Sequence, residues 1–194
     1  GAANATITPK IKISGNYYIL GYSNPVNINN TKGINNNDQP WFLNTGQIFA
    51  VTTSASTFNF WLNIVEFDDT STINAVYYPG LVSGNNTIYT CPANKKAYIT
   101  GLKGAGGFQY GNGLIITNET AGNRTYSAYI VPSGGSAGSS NQVFNGVTIS
   151  TGISSLGNNT FPSATLNAGD FIVVNSDSSA TKQLAYLFVQ EVPT

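Results

Sequence analysis

The chain has 194 residues, 41% of them apolar, enough for one ordinary domain with a buried core and too many for a disordered polymer. Only 8% are charged, and eight basic residues cancel eight acidic ones, so neither a nucleic-acid backbone nor membrane insertion is expected among its partners. With no histidine and a single cysteine the chain lacks the parts of a Ser-His or Cys-His pair or a zinc site, so it is expected to be no enzyme and to need no cofactor or metal.

The first element is "ATITPKIKISGNYYIL". Side chains alternate along a strand, and this stretch sets Ile7, Pro9, Ile11, Ile13, Gly15, Tyr17 and Ile19 against Thr6, Thr8, Lys10, Lys12 and Ser14. The alternation predicts one extended strand over 5–19 with an apolar side that must be buried. The polar run "GYSNPVNINNTKGINNNDQP" follows and reads as a long loop or weakly paired edge. Strands are predicted at "GQIFAVTTS", "TFNFWLNIVEF" and "INAVYY", with turns at "DDTS" and at Pro79-Gly80. From Asn86 onward come "NTIYTCPANKKAYITGLKG", "GLIITNETAGNRTYSAYIVP", "NQVFNGVTIST", "LNAGDFIVVNS" and "KQLAYLFVQEV". The last has Leu184, Tyr186 and Phe188 opposite Ala185, Leu187 and Val189, so it is expected to be central or covered on both faces. "PSGGSAGSS", residues 132–140, reads as a flexible surface loop. Helical periodicity is nearly absent, and the pattern is that of an all-β sandwich.

Chemistry-bearing motifs are few. Asp68 and Asp69, with Thr70 and Ser71, could hold a cation but read more simply as solvated turn formers, as does Asp170. "KGAGGFQYGNG" has neither the lysine nor the helix of a phosphate loop. Cys91 is expected to be a small buried hydrophobe. The surface is left to 25 Asn and 39 Ser plus Thr residues, and a chain with so few titratable groups suits an acidic exterior. Six Asn-X-Ser/Thr sequons, at Asn4, Asn29, Asn85, Asn118, Asn123 and Asn158, mark candidate N-linked glycans; Asn85, Asn118, Asn123 and Asn158 fall in expected turns. A chain that starts at Gly1 and has no methionine is expected to be either a processed product or a recombinant piece, and no apolar run is long enough for a transmembrane helix.

An Asn- and Thr-rich, His-free, all-β chain with an N-terminal alternating strand resembles the head-to-tail pilins of archaeal thread filaments, whose fold is similar to that of bacterial type 1 pilins. The resemblance implies an immunoglobulin-like head, residues 21–194, and a donor strand, residues 1–20, that fills a groove in the next subunit. Ile7, Ile11, Ile13, Gly15, Tyr17 and Ile19 would be the donor residues, and Leu184, Tyr186 and Phe188 the acceptor groove. The implied function is a cell-surface filament, extracellular and adhesive, built as a homopolymer of identical subunits. "TIYTCPANKKAYITGL" and "LNAGDFIVV" look like β modules of tailed-phage and archaeal virion surface proteins, implying as alternative a jelly-roll capsid or turret protein. A secreted carbohydrate-binding adhesin is the third reading, drawn from the aromatic potential of Trp41, Trp61 and 11 tyrosines.

Overall fold

Two consecutive residues with left-handed backbone, Ser14 (φ 48°) and Gly15 (φ 87°), turn the chain back on itself soon after it starts. A two-residue hairpin of this kind needs positive φ at both loop positions to match the twist of its strands, and Ile13 pairs directly with Asn16. The strand expected over 5–19 is therefore two, β1 (Asn4–Ile13) and β2 (Asn16–Ile19). The structure, a computed structural model, describes residues 4–20, 24–27, 43–54, 73–99, 114–150, 154–156 and 164–194.

β1 is the middle of a small sheet. β3 (Asn24–Asn27) pairs with its first half and β4 (Ile48–Thr53) with most of its length. Ile7 is opposite both Asn24 and Thr53, and Lys10 opposite both Ile19 and Ala50, so β2 and β3 share one edge of β1 while β4 occupies the other. On the β2/β3 edge the β3 ladder ends at Ile7 and the β2 ladder begins at Lys10, with Thr8 and Pro9 between them. Pro9 turns its carbonyl to that edge, accepting the Leu20 N–H at 3.0 Å. The return bond of that pair, from the residue-9 nitrogen to the Leu20 carbonyl, is the one proline cannot make, and the Leu20 carbonyl is taken up by the Tyr186 hydroxyl instead.

The other ten strands of the described residues form two more sheets. They are β5 (Ile73–Pro79), β6 (Gly84–Thr90), β7 (Lys95–Ile99), β8 (Leu114–Asn118), β9 (Arg124–Val131), β10 (Gln142–Ile149), β11 (Ser154–Leu156), β12 (Ala164–Leu166), β13 (Phe171–Ser176) and β14 (Gln183–Pro193). β5 lies along β14 from Leu184 to Gln190. β8 pairs with β14 up to Leu187 and β7 pairs with it from Val189, so both must lie on the edge that β5 leaves free. β7 and β8 are thus the halves of one strand with residues 100–113 inserted. β11 and β12, paired with β8 and β7 respectively, are likewise two halves of the next strand.

Among the described residues, counting each interrupted strand once leaves eight in these two sheets, four in each. They pair in a nested order about the β9–β10 hairpin: β9 with β10, β8/β7 with β11/β12, β6 with β13, and β5 with β14. The cross pairs β9–β13 and β14–β7/β8 complete the sheets. A long antiparallel ribbon rolled up this way is a jelly roll. The expected all-β sandwich is present, and its strand order is that of a jelly roll rather than an immunoglobulin domain.

The cores follow from alternation on β14. Ala185, Leu187 and Val189 point between the two large sheets, into a cluster with Ile99, Ile116, Tyr126, Leu166, Ile172 and Val174. Leu184 and Tyr186 point the other way, into a second cluster with Ile11, Tyr18, Leu20 and Ile115, with Phe188 packed beside it. The described residues therefore form three layers, the N-terminal sheet lying on the outer face of the β14 sheet. β1 shares its sheet with β4, so residues 48–53 belong to the N-terminal sheet.

Candidate functional site

The residues expected to form an intermolecular joint meet inside one molecule. Leu184, Tyr186 and Phe188 lie on a strand whose edges are occupied by β5 on one side and β8 and β7 on the other, so β14 has no free edge between Leu184 and Gln190 for a donor strand. The N-terminal strands reach these residues by face packing instead. Tyr186 is fully buried, donates a hydrogen bond to the Leu20 carbonyl at 2.5 Å, stacks on Tyr77 at 5.5 Å and meets Phe188 edge-on at 6.0 Å. Burial, with the Tyr77 phenol nearby, holds its hydroxyl well above the usual tyrosine range.

The donor residues are sorted by the hairpin rather than by the alternation. Ile7 and Ile11 are buried and Ile13 packs partly buried at the second core. Gly15 is the turn. Cross-strand partners share a face, so Tyr18, opposite Ile11, goes inward, while Tyr17, opposite Lys12, is 46% exposed with the Lys12 ammonium 5.3 Å from its ring centroid. Ile19 is buried opposite Lys10. Lys10 Nζ meets Glu119 Oε1 at 2.6 Å, pinning the N-terminal sheet to the end of β8. Within this chain β1 is paired on both edges, by β2 and β3 on one and β4 on the other, the Ser14-Gly15 turn supplying β2 locally.

Elsewhere the polar groups act as fasteners. Glu191, largely buried, accepts from Lys95 Nζ at 2.6 Å and from the Tyr89 hydroxyl at 3.1 Å. Burial first and the Glu191 charge second push the Tyr89 phenol far up. Cys91 is buried, as expected, with its thiol directed at the Lys95 carbonyl at 3.3 Å; burial, followed by Glu191 and Asp170, raises its pKa. Asp170 accepts the backbone N–H groups of Ser133 and Asn167 at 2.9 and 2.8 Å, which makes it a turn fastener. That bond also ties down the stretch 132–140, expected to be flexible: Pro132 accepts from Gly135 N, and Asn141 bridges Ser136 and Gly138. Among the described residues no three His, Cys, Asp or Glu groups lie close enough to hold a metal ion.

The sequons divide by geometry. Asn85 is exposed, on strand β6 rather than in a turn, and accepts from Asn175 Nδ2 at 2.8 Å. Asn123 is exposed in the turn before β9. Asn118 is 1% exposed, its Nδ2 donating to the Gly122 and Ile149 carbonyls at 2.9 and 3.2 Å and its Oδ1 holding Thr120. A glycan on that nitrogen would have to displace both of these bonds. Asn4 lies in β1. Asn29, Asn158, Trp41, Trp61, Asp68 and Asp69 lie outside the described residues.

Comparison with family models, with curated proteins and with solved structures gave no match.

Sequence reading missed the Asn86 clamp. That buried side chain accepts from Val82 N and donates to the carbonyls of Val82, Gly84 and Val174, closing the β5–β6 corner against β13. An asparagine between polar neighbours at a strand start gives no signal of burial; only the third partner, 88 residues away in sequence, reveals it.

Proposed function

We propose that this chain is the structural subunit of an extracellular protein coat, a jelly-roll virion or surface protein that associates with identical copies and carries out no chemistry. One observation carries the reading: the nested pairing of the eight sandwich strands, the order used by viral capsid domains, lectins and cupins. The warrant is analogy at the level of the fold. The chain has no histidine, which sets it apart from jelly rolls that hold a metal through imidazoles. A formally neutral surface with few charges favours association between copies over repulsion. Asn85 and Asn123, exposed sequons, are the positions where N-linked glycans fit this exterior role.

Negative-stain microscopy and native mass spectrometry of purified protein test it. Regular shells, rings or arrays of identical copies are the expected result. A beaded fibre that is lost when Ile11 and Ile13 are changed to Asp would favour the donor-strand pilus, in which β1 would have to leave β2, β3 and β4. A monomer that binds a glycan panel would favour the adhesin. Native material whose intact mass equals the bare 20.4 kDa chain would remove the glycans.

A further inference from the structure

Strand β10 contains a bulge. Phe144 pairs with Ala128 and Val147 with Tyr126, so Asn145 and Gly146 together face the single residue Ser127. Gly146 adopts φ 63°, a left-handed conformation that glycine takes without strain. Asn145 and Gly146 are both exposed, whereas Ser127 is 8% exposed. The Ser127 hydroxyl sits between them: it accepts the Gly146 backbone N–H at 3.0 Å and donates to Asn145 Oδ1 at 3.1 Å.

We infer that Asn145 is a site of self-catalysed deamidation, with Ser127 as the proton relay. The reaction needs the backbone nitrogen after an asparagine to attack its side-chain carbonyl, and glycine in that position leaves the nitrogen unshielded and the backbone free to close a five-membered ring. In forming the adduct, Gly146 N must lose a proton and Asn145 Oδ1 must gain one. The Ser127 hydroxyl is hydrogen-bonded to both atoms in the required sense: it takes the proton from nitrogen as it gives its own to oxygen. The new bond joins Gly146 N to Asn145 Cγ. The Cγ–Nδ2 bond then breaks as the proton on Oδ1 passes to Nδ2, which leaves as ammonia, and the carbonyl re-forms in a succinimide. Water opens that ring at either carbonyl, giving Asp or, with the backbone rerouted through the side chain, iso-Asp. No oxidant or reductant takes part. The product carries a new carboxylate on β10, in a chain whose basic and acidic residues otherwise cancel. This modification is independent of the coat-protein reading.

The experiment incubates the folded protein, and the same protein unfolded in urea, at neutral pH and raised temperature, and follows Asn145 by peptide mapping that separates Asn, Asp and iso-Asp. Asn145 is expected to convert several-fold faster in the folded protein than in the unfolded chain. Ser127→Ala should bring the folded rate down to that of the unfolded chain or below, and Ser127→Thr, which keeps the hydroxyl, should restore it. If Asn145 persists in the folded protein while converting in urea, the bulge protects the site and the inference is overturned. An unchanged folded rate in Ser127→Ala overturns the relay. The comparison of folded and unfolded wild-type protein stands even if the variants fail to fold.

Discussion

Tyr186 shows how much one side chain can hold in place. Its hydroxyl reaches across layers to the Leu20 carbonyl, so Tyr186→Phe leaves a buried acceptor empty and should cost about 1–3 kcal/mol in urea unfolding. Tyr186 also belongs to a group of phenols, with Tyr77, Tyr89 and Tyr126, that burial pushes above their ordinary value of 10.0. The unfolded chain loses these protons near pH 10 while the folded one keeps them. Their contribution to stability is therefore complete below that pH and is lost as pH rises above it. Urea midpoints should hold steady on the neutral side and fall beyond pH 10, with phenolate absorbance appearing together with unfolding. Cys91 should stay silent to thiol reagents until the protein unfolds. Its burial was legible in the sequence, where a lone cysteine between apolar strands has no better place to go. The inward turn of Tyr18 was not. A two-residue hairpin swaps the faces after it, so a pattern followed straight through Ser14-Gly15 sends Tyr17 inward when Tyr18 is the one that goes.

Among the elements, strands with apolar residues on both faces were the most legible. β14 was expected to be central or covered on both faces, and it is both, with β5 on one edge, β7 and β8 on the other, and a core on each side. Where it lay in the wider pairing was hidden, since each strand's partners sit far off in sequence and periodicity speaks only of one strand at a time. The N-terminal strand failed for a local reason: Ser-Gly is a turn signal that period-two alternation masked. Two substitutions probe this element. Ile11→Ala should destabilise by about 2–5 kcal/mol, the cost of emptying the second core, and be seen in the same urea experiment. Gly15→Val places a β-branched residue at φ 87° and should cost more than about 1 kcal/mol, whereas Ser14→Asn, at φ 48°, should be neutral or mildly stabilising.

At the scale of the whole molecule, the nested order makes the first and last sandwich strands neighbours. Leu184 pairs with Pro79, so β5 must wait for the chain to reach β14 before its ladder can close. Loop closure over such separations comes before its reward, and jelly rolls of this contact pattern fold slowly. Stopped-flow refolding should show a main phase on the order of milliseconds to seconds or slower, in the range of all-β domains with non-local pairing. Slow closure also leaves the apolar β14 exposed for longer, so refolding yield should fall as protein concentration rises.

The interruptions in the β14 sheet carry a consequence for change. Ile99 and Leu114 stand opposite Val189 and Leu187, and Leu156 and Ala164 opposite Ile116 and Ile99, so two adjacent strands are spliced at one level and their ladders resume in step on either side. A chain already joined this way has detached the length of what it inserts from the register of what it keeps. Foreign peptides spliced between Ile99 and Leu114, or between Leu156 and Ala164, should leave the ladders on either side in step and the urea midpoint close to that of the parent chain.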